Sequence, residues 1–306
     1  MTKLLVTGSN GLLGSAIRRL NPSDAVFLAR NEVDLTDFKA VHTAFCLLKP
    51  ERVIHTAAVV GGLGGNSIHS GEYFRNNILL NTNLLEVSRL AGVRKLISYM
   101  STCVFPDKCE YPLKERDLHG GPPHPSNFGY AYAKRMLEVQ SSAYRKEWNC
   151  NYIVAIPANM YGPNDNFSLT EGHVIPSLIH KVYLAKKNGT DLMVWGSGKP
   201  LREFIYVDDI AKLSLWALDG YNEESPIIFS SGIETSIADM VGIIVRLMGF
   251  SGRVVFDASK PDGQYRKPSD VSKLRRYLPD FTFTSLEQGL RATIDCFLAH
   301  YPNIRM

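Results

Sequence analysis

The glycine turn near the start of the chain restricts the fold more than any other feature. Residues 3–7 form a short apolar run typical of a β-strand. Gly8, Gly11 and Gly14 follow it at intervals of three, before a helix expected to end near Leu20. In such a turn the first glycine permits a tight bend, the second lets a pyrophosphate approach the backbone, and the third lets the helix pack on the strand. The sequence therefore predicts a dinucleotide site at the first strand of a parallel sheet.

The second predicted strand, residues 25–28, ends close to a residue that bears on the choice of dinucleotide. An acidic side chain there would bind the ribose 2′-hydroxyl of NAD, whereas Arg30 suits the 2′-phosphate of NADP. Asp34 lies about twenty residues beyond the last glycine, where an acidic residue is often found. It could accept a hydrogen bond from the adenine amino group or cap a helix beginning near Thr36, and the sequence favours neither. We predict NADP(H) as the cofactor.

Strand and helix signals continue to alternate as far as residue 164. Residues 52–56, 95–100 and 152–156 are buried strand candidates, and 72–91 is a long helix candidate between two of them. This alternation predicts an α/β fold built on a Rossmann-type doubly wound parallel sheet.

The pattern changes after residue 164, which predicts a second, smaller α/β substrate domain on the C-terminal side. We place the NADP-binding Rossmann domain at 1–164, with a return segment at about 203–230. The smaller domain then comprises 165–202 and 231–306.

Small and polar residues stand at the carboxyl ends of the third and fourth predicted strands. Ala57 and Ala58 leave space for a ribose and a nicotinamide, and the glycine-rich loop 61–65 is expected to border the substrate. Ser101 and Cys103 follow the next strand. We expect all of them to lie at one edge of the sheet, where open α/β folds bind ligands.

Tyr130 and Lys134 are four residues apart on a predicted helix that Ser126 or Asn127 would cap. An ammonium beside a phenol favours the phenolate, and such a pair can exchange a proton with a substrate oxygen while a hydride moves at the carbon. Taken alone, the same spacing fits an amphipathic helix with a solvated lysine. The position of the pair, downstream of the glycine turn and of Ser101, favours the catalytic interpretation.

Charge and cysteine content exclude several classes of function. The formal net charge of +4 is small for 306 residues and the basic residues are dispersed, so we expect no nucleic-acid partner. No apolar run is long enough for a membrane span, and the start of the sequence is not typical of a signal peptide. The five cysteines (Cys46, Cys103, Cys109, Cys150 and Cys296) form no Cys-x-x-Cys pair, which predicts free thiols in a cytoplasmic protein.

With these residues in place, the chain resembles the extended short-chain dehydrogenase/reductase family along nearly its whole length. The general resemblance lies in the glycine turn and in Ser101 with Tyr130-x-x-x-Lys134. A narrower resemblance is to the GDP-sugar 3,5-epimerase/4-reductases of that family. It is carried by Ser101-Thr-Cys103-Val-Phe-Pro106, Asn127-Phe-Gly-Tyr130, Asn159-Met-Tyr-Gly-Pro163-Asn-Asp-Asn166-Phe, Gly172-His173-Val-Ile-Pro176, Val194-Trp195-Gly-Ser-Gly198, Arg202-Glu203-Phe204 and Pro261-Asp262-Gly263-Gln264 before Lys267.

The resemblance implies a two-stage reaction on GDP-4-keto-6-deoxy-D-mannose. A base would remove the protons at C3 and C5, which the C4 ketone acidifies, and an acid would return them from the opposite face. NADPH would then reduce C4. A sugar-nucleotide 4-epimerase or 4,6-dehydratase, and a redox-sensing module without catalysis, are the alternatives. The acidic pair that dehydratases of the superfamily carry after Ser-Thr is replaced here by Cys103, and the Tyr-Lys pair is intact.

The family's catalytic roles carry over to five positions. Tyr130 would protonate the C4 oxygen, Lys134 would lower the Tyr130 pKa and bind the nicotinamide ribose, and Ser101 would donate a hydrogen bond to the C4 oxygen. Cys103 would be the base, as a thiol of near-neutral pKa, although a free cysteine is often an inert buried residue. His173 would be the acid, although a lone histidine is often a helix cap or a surface residue. Neither has metal ligands near it, and we predict no metal site.

The resemblance also implies the wider binding sites. Cofactor contacts are expected from Gly8, Asn10, Gly11, Leu12, Leu13, Gly14, Arg30, Asp34, Leu35, Ala57, Ala58, Val59, Tyr130, Lys134, Pro157, Asn159, Met160 and His173. Substrate contacts are expected from Ser101, Cys103, Asn159, Lys181, Trp195, Arg202 and Lys267.

Several of these positions keep a second interpretation. Arg202 suits the GDP diphosphate but could form a surface ion pair. Trp195 could lie against the guanine or in the core. Leu12 and Lys181 depart from the family, where arginines are found. Asp208 and Asp209 are read as cap and hydrogen-bond anchors of a helix rather than as a catalytic pair. A homodimer is expected, through the helices at 72–91 and 130–147.

Overall fold

A six-stranded parallel sheet grows from the first strand and forms the centre of the larger lobe. The structure is a computed structural model that describes residues 3–61, 68–260 and 262–306. The strands of this sheet are β1 (Leu4–Thr7), β2 (Ala25–Leu28), β3 (Arg52–His55), β4 (Lys95–Tyr99), β5 (Tyr152–Pro157) and β9 (Ile227–Phe229). Their order across the sheet is β2-β1-β3-β4-β5-β9, so the order reverses between β1 and β3. Open α/β sheets bind ligands at the carboxyl edge beside such a reversal.

Helices cover both faces of the large sheet, because the strands are apolar on both sides. The helices concerned are α1 (Leu12–Arg19), α2 (Phe38–Leu48), α3 (Ser70–Leu90), α4 (Phe128–Trp148) and α6 (Val207–Gly220). α1 and α6 pack together on one face, and α2, α3 and α4 cover the other. The predicted doubly wound parallel sheet is confirmed.

The smaller lobe has two short sheets and its own apolar core. β6 (Asn159–Tyr161), β8 (Leu201–Tyr206) and β10 (Glu234–Ser236) form one sheet, and β7 (Leu192–Trp195) pairs in parallel with β11 (Val254–Asp257). The core lies between these strands and three helices: α5 (Val174–Asn188), α7 (Ile237–Leu247) and α9 (Leu286–His300). The remaining helix of the described residues, α8 (Ser272–Tyr277), packs on the large lobe near β9.

The chain crosses between the lobes more than once. β6 pairs with β8 in the smaller lobe, whereas α6 and β9 belong to the large sheet and its helical layer. The return to the large lobe therefore runs over residues 207–229, because β8 belongs to the smaller sheet. The division at residue 164 remains our interpretation.

The predicted start of the helix near Thr36 differs from the structure. α2 begins at Phe38, and Asp37 caps it by accepting hydrogen bonds from the amides of Lys39 and Ala40. Asp34 instead accepts from the amide and hydroxyl of Thr36, so the expectation that it could cap this helix is wrong. Its carboxylate closes an Asx turn, which the sequence did not distinguish from a cap.

The first turn of α4 donates a hydrogen bond to a residue outside the expected cap. Asn127 stands at the N-cap position, and the amide of Gly129 donates to the Ser70 hydroxyl at 3.2 Å. A Cβ at Gly129 would overlap the Ser70 carbonyl, so α3 and α4 are in backbone contact there. This contact fixes the helix that carries Tyr130.

Asp208 and Asp209 serve as anchors in the first turn of α6, where Tyr206 rather than either aspartate holds the N-cap position. Asp209 is fully buried and accepts from the amide and hydroxyl of Thr284, and Asp208 pairs with Arg19. Within the described residues, no helix has the length and apolar character needed to cross a membrane.

Candidate active site

A cavity of about 360 Å³ opens at the carboxyl edge of the large sheet, beside the glycine turn. All five predicted catalytic residues line it: Ser101, Cys103, Tyr130, Lys134 and His173. They come from the end of β4, from one face of α4 and from the start of α5. Parallel strands end at a common edge, which is why residues so far apart in the sequence meet.

Cys103 lies in a single 3₁₀ turn, Thr102–Val104, directly after β4. Val104 and Phe105 are fully buried and anchor the turn, while the half-buried thiol lines the cavity. Burial raises the pKa of the Cys103 thiol, and the charge of Lys267 is the largest opposing influence. The expectation of a near-neutral thiol pKa is therefore wrong for this structure, because desolvation outweighs the neighbouring cations.

Tyr130 and Lys134 are one helical turn apart on α4, and both are almost completely buried. Burial raises the pKa of Tyr130, and the nearby Cys103 adds to the rise. Burial lowers the pKa of Lys134 to about 8. The prediction that Lys134 lowers the Tyr130 pKa is wrong here, because desolvation dominates both groups. Tyr130 is consequently a neutral phenol at physiological pH, the form that a proton donor requires.

His173 holds the N-cap position of α5 without capping it through its side chain, so the helix-cap alternative is excluded. Its Nδ1 atom lies 3.7 Å from Oδ1 of Asp165. This carboxylate raises the pKa of His173 above its usual value. The imidazole faces the cavity with about half of its side chain accessible.

A second cavity of about 350 Å³ continues from the first along the large sheet. Of the predicted cofactor residues it is lined by Gly8, Asn10, Gly11, Arg30, Asp34, Leu35, Ala57, Ala58 and Val59. Gly8 has φ of +72°, and a Cβ there would lie 2.6 Å from the amide nitrogen of Ala57, so only glycine fits. The two cavities meet at the glycine turn, since both are lined by Gly11.

The family comparison agrees with this geometry. The model of the family described as NAD dependent epimerase/dehydratase matches residues 4–232, which include the large sheet and the residues lining the first cavity other than Arg305. The chain belongs to the NAD dependent epimerase/dehydratase family. Within the family it is similar to the GDP-L-fucose synthases, and the resemblance seen in the sequence is confirmed.

Relatives and a solved structure extend this similarity over the whole chain. The chain is 46% identical to the GDP-L-fucose synthase of Dictyostelium discoideum, across 99% of this chain and 97% of that protein. It is 34% identical to the GDP-L-fucose synthase of Escherichia coli (strain K12), across 99% and 98%. The crystal structure of a GDP-L-fucose synthetase from Naegleria fowleri bound to NADP matches with a TM-score of 0.94 and 42% identity, across 99% of this chain and 94% of that one.

In this epimerase/dehydratase family member, the remaining predicted cofactor residues divide into two groups. Leu12, Leu13, Pro157, Asn159 and Met160 line the first cavity. Gly14 lines neither cavity, and a Cβ there would overlap the Gly8 carbonyl, so its expected contact with the cofactor is replaced by close packing of α1 on the turn. The cofactor-binding roles of the others remain predictions.

Four predicted substrate residues lie outside the first cavity but connect to it through contacts. Lys267 is close enough to Cys103 and Arg202 for their charges to affect the pKa of its ammonium group. Arg202 is similarly close to Asp262, whose carboxylate accepts from the amide and hydroxyl of Ser197.

Trp195 precedes this turn and is 64% exposed, so the core alternative for it is wrong. The ammonium group of Lys181 lies 4.7 Å from the centre of its ring. Among the described residues, the Arg202 guanidinium donates a hydrogen bond only to the carbonyl of Leu201, at 2.7 Å. The surface ion pair considered for Arg202 is therefore not formed within the described residues.

Asp165 and Arg305 are among the lining residues that were not predicted from the sequence. Asp165 and Arg305 line the first cavity, and Arg305 also lines the second. Asp165 appeared in the sequence analysis only within the motif from Asn159 to Asn166, without a role of its own. Arg305 belongs to none of the motifs identified there. Of the glycine-rich loop 61–65, Gly61 lines the first cavity and the rest lies outside the described residues. No three His, Cys, Asp or Glu side chains among the described residues converge as metal ligands.

Proposed function

We propose that the chain converts GDP-4-keto-6-deoxy-D-mannose to GDP-L-fucose by 3,5-epimerisation and NADPH-dependent 4-reduction. The observation that carries the proposal is that one cavity holds a thiol, an imidazole, a phenol, an ammonium and a hydroxyl: Cys103, His173, Tyr130, Lys134 and Ser101. This set can serve proton transfer at carbon and reduction at a carbonyl. The shared name of relatives at 34% and 46% identity supports the same function.

The residues of the cleft fit NADP(H). Two joined cavities meet at Gly11, which precedes the N-terminus of α1, where backbone amides favour a pyrophosphate. Arg30 lines the outer cavity and would bind the 2′-phosphate, and the Lys134 ammonium makes no hydrogen bond with any described residue, so it can donate to a ribose. NADPH, when bound, supplies the hydride for C4.

Epimerisation would use Cys103 and His173 in turn. The Cys103 thiolate takes a proton from C3 and later from C5, each acidified by the C4 ketone, while the Ser101 hydroxyl donates a hydrogen bond to the C4 oxygen as negative charge develops. The His173 imidazolium returns a proton to the opposite face. Exchange with solvent restores the thiolate and the imidazolium between the two events. The pKa of His173, raised by Asp165, keeps this acid protonated at higher pH than an isolated histidine.

Reduction would use Tyr130 as the acid. Its raised pKa keeps the phenol protonated, and the phenol gives its proton to the C4 oxygen as the carbonyl becomes an alcohol. Lys134, on the same face of α4, would hydrogen-bond the nicotinamide ribose rather than lower the pKa of Tyr130.

The GDP portion would extend from the thiol into the smaller lobe. Three cations and one exposed aromatic ring lead from Cys103 into that lobe: Lys267, Arg202, Lys181 and Trp195. A diphosphate prefers such cations, and a guanine can stack on an indole. The identity of the sugar as 4-keto-6-deoxy-D-mannose and that of the nucleobase as guanine are part of this proposal.

The decisive assay follows NADPH oxidation and product identity with purified protein and GDP-4-keto-6-deoxy-D-mannose. We expect one NADPH to be oxidised for each sugar converted, and a product with inverted C3 and C5 centres. Turnover of sugar nucleotides without net NADPH consumption would instead indicate a 4-epimerase or 4,6-dehydratase and would remove the reductase assignment.

We also propose a homodimer formed through α3 and α4. Phe128 and Val139 are 56% and 43% exposed, and their spacing of three helical turns puts them on one face of α4. Phe74 on α3 is 42% exposed. Light scattering should give twice the chain mass, which Val139→Glu should reduce towards one chain. Because the proposed base must remain a free thiol, we place the enzyme in a reducing, cytoplasm-like compartment.

A further inference from the structure

The two cavities of the cleft share a small set of lining residues. These are Gly11, Thr56, Ala58 and Arg305. Gly11 belongs to the glycine turn and immediately precedes α1. A dinucleotide whose adenosine lies in one cavity and whose nicotinamide lies in the other must pass its pyrophosphate through this junction. Arg305 therefore lies where the pyrophosphate crosses from one cavity to the other.

The backbone around Arg305 is held by the smaller lobe. The amide of Phe167 donates to the carbonyl of Arg305 at 2.9 Å, and Ile304 packs against the core of that lobe. Tyr301, at the start of the same segment, packs its ring against Tyr183 and Phe297, with centroid distances of 4.6 and 5.3 Å. The main chain thus fixes the position of residue 305, and the guanidinium takes no part in this anchoring.

The junction has no other cationic side chain among the described residues. Arg30 lines only the second cavity, and Lys134 and His173 line only the first. Leu12, directly after Gly11, is apolar. The Arg305 side chain is exposed, and no described residue forms a hydrogen bond or an ion pair with its guanidinium. The guanidinium is close enough to His173 for its charge to affect the pKa of the imidazole.

We propose that Arg305 binds the pyrophosphate of the cofactor, opposite the backbone amides of the glycine turn. A planar guanidinium can donate two parallel hydrogen bonds to phosphate oxygens, and it keeps its charge throughout the physiological pH range. The smaller lobe thereby contributes a cofactor contact to a site built mainly by the large sheet. This inference rests on the proposed function, because it requires that the cleft binds a nicotinamide dinucleotide.

The test compares NADPH and NADH, which share the pyrophosphate and differ in the 2′-phosphate. Dissociation constants are measured by calorimetric titration for the wild type, Arg305→Ala, Arg305→Lys, Arg30→Ala and Arg291→Ala. Arg305→Ala should weaken both dinucleotides by a similar factor, about tenfold to a hundredfold. Arg305→Lys should recover part of the loss. Arg30→Ala should weaken NADPH far more than NADH.

The control and the contrary outcomes are distinct. Arg291 is an exposed arginine on α9 that pairs with Glu287, so Arg291→Ala should leave both constants unchanged. The Arg305→Ala change keeps the carbonyl that bonds to Phe167, so the segment should remain in place. Unchanged affinities in Arg305→Ala, or a loss confined to NADPH, would overturn the inference while leaving the proposed function intact. A wild type that binds neither dinucleotide would overturn both.

Discussion

Nδ1 of His173 lies 3.7 Å from Oδ1 of Asp165, and both residues line the first cavity. Asp165 is only 2% exposed, and the same oxygen accepts a hydrogen bond from the amide of Asn166. A buried carboxylate in this position can orient the imidazole, and it raises the pKa of His173. Asp165 is thus a positioning residue for the proposed acid.

Asp165→Asn should move the pH dependence of epimerisation. The substitution removes the charge that raises the His173 pKa, so the imidazolium should be lost at a lower pH. We expect the alkaline limb of the profile to shift to lower pH. The measurement is deuterium incorporation at C3 and C5 of the keto sugar in D₂O without NADPH. Asp191→Asn, which removes an exposed partner of Arg253, should leave the profile in place. An unshifted profile in Asp165→Asn would show that the pair does not act through the His173 pKa.

Cys103→Ser should abolish proton exchange and preserve cofactor binding. A serine hydroxyl is a far weaker base at neutral pH than a thiol, so we expect exchange to fall by about 100-fold or more. Calorimetric titration should give an NADPH dissociation constant close to that of the wild type. Cys109→Ser is the matched control, because Cys109 packs on the same apolar cluster and burial raises its pKa too. Equal loss of exchange and binding would instead identify Cys103 as a structural residue.

Lys267→Met should make the Cys103 thiol less reactive. Lys267 is the strongest influence that opposes the rise in the Cys103 pKa, so its removal should raise that pKa further. The thiolate would then form only at higher pH. The rate of Cys103 alkylation by iodoacetamide as a function of pH should shift to the alkaline side, while Lys267→Arg should retain most of the wild-type behaviour. A shift to the acidic side would contradict the assigned sign.

Tyr130→Phe should bind NADPH and exchange protons at carbon but fail to reduce the keto sugar. The change removes the phenol that lies one helical turn from Lys134 in the cavity, and loss of a general acid costs about 100-fold to 10,000-fold in rate. NADPH oxidation at its absorbance maximum provides the readout. Tyr132→Phe, two residues along the same helix, should reduce at the normal rate. Near-normal turnover of Tyr130→Phe would remove this residue from the proton-transfer step.

Gly14→Ala should lower both stability and cofactor affinity. The added Cβ would overlap the Gly8 carbonyl and push α1 away from the turn, at a cost of about 1–3 kcal/mol. Gly242→Ala is a matched control, because it lies in α7 with open space around the position of a Cβ. It should gain about 0.5–1 kcal/mol from helix propensity. Thermal unfolding of the two variants should therefore change in opposite directions, and a stable Gly14→Ala would show that α1 can move without cost.

The fold and the catalytic group could be predicted because both depend on local patterns. The glycine turn, the apolar strands and the alternation of elements specify a parallel sheet, and strand ends of such a sheet share an edge. That rule places Ser101 and Cys103 at one edge of the sheet, whereas Tyr130, on α4, was placed beside them by its spacing from Lys134 and by the family resemblance.

Other properties depend on three-dimensional surroundings that no local pattern contains. The sign of the pKa changes at Cys103 and Tyr130 depends on burial, which outweighs the nearby cation. Arg305 lines both cavities from a segment that is held by the smaller lobe, and nothing in the neighbouring sequence marks it. The exposure of Trp195 likewise follows from β7 belonging to a two-stranded sheet.

The repeated crossing of the chain between the two lobes limits how the enzyme can be dissected. A gene fragment cut after residue 164 would encode a sheet without its sixth strand β9, and α1 would lose its packing partner α6. The complementary fragment would carry that apolar helix with nothing to cover it. Neither half should therefore be recoverable as a soluble module, and grafting the smaller lobe onto another dehydrogenase would need at least two junctions instead of one.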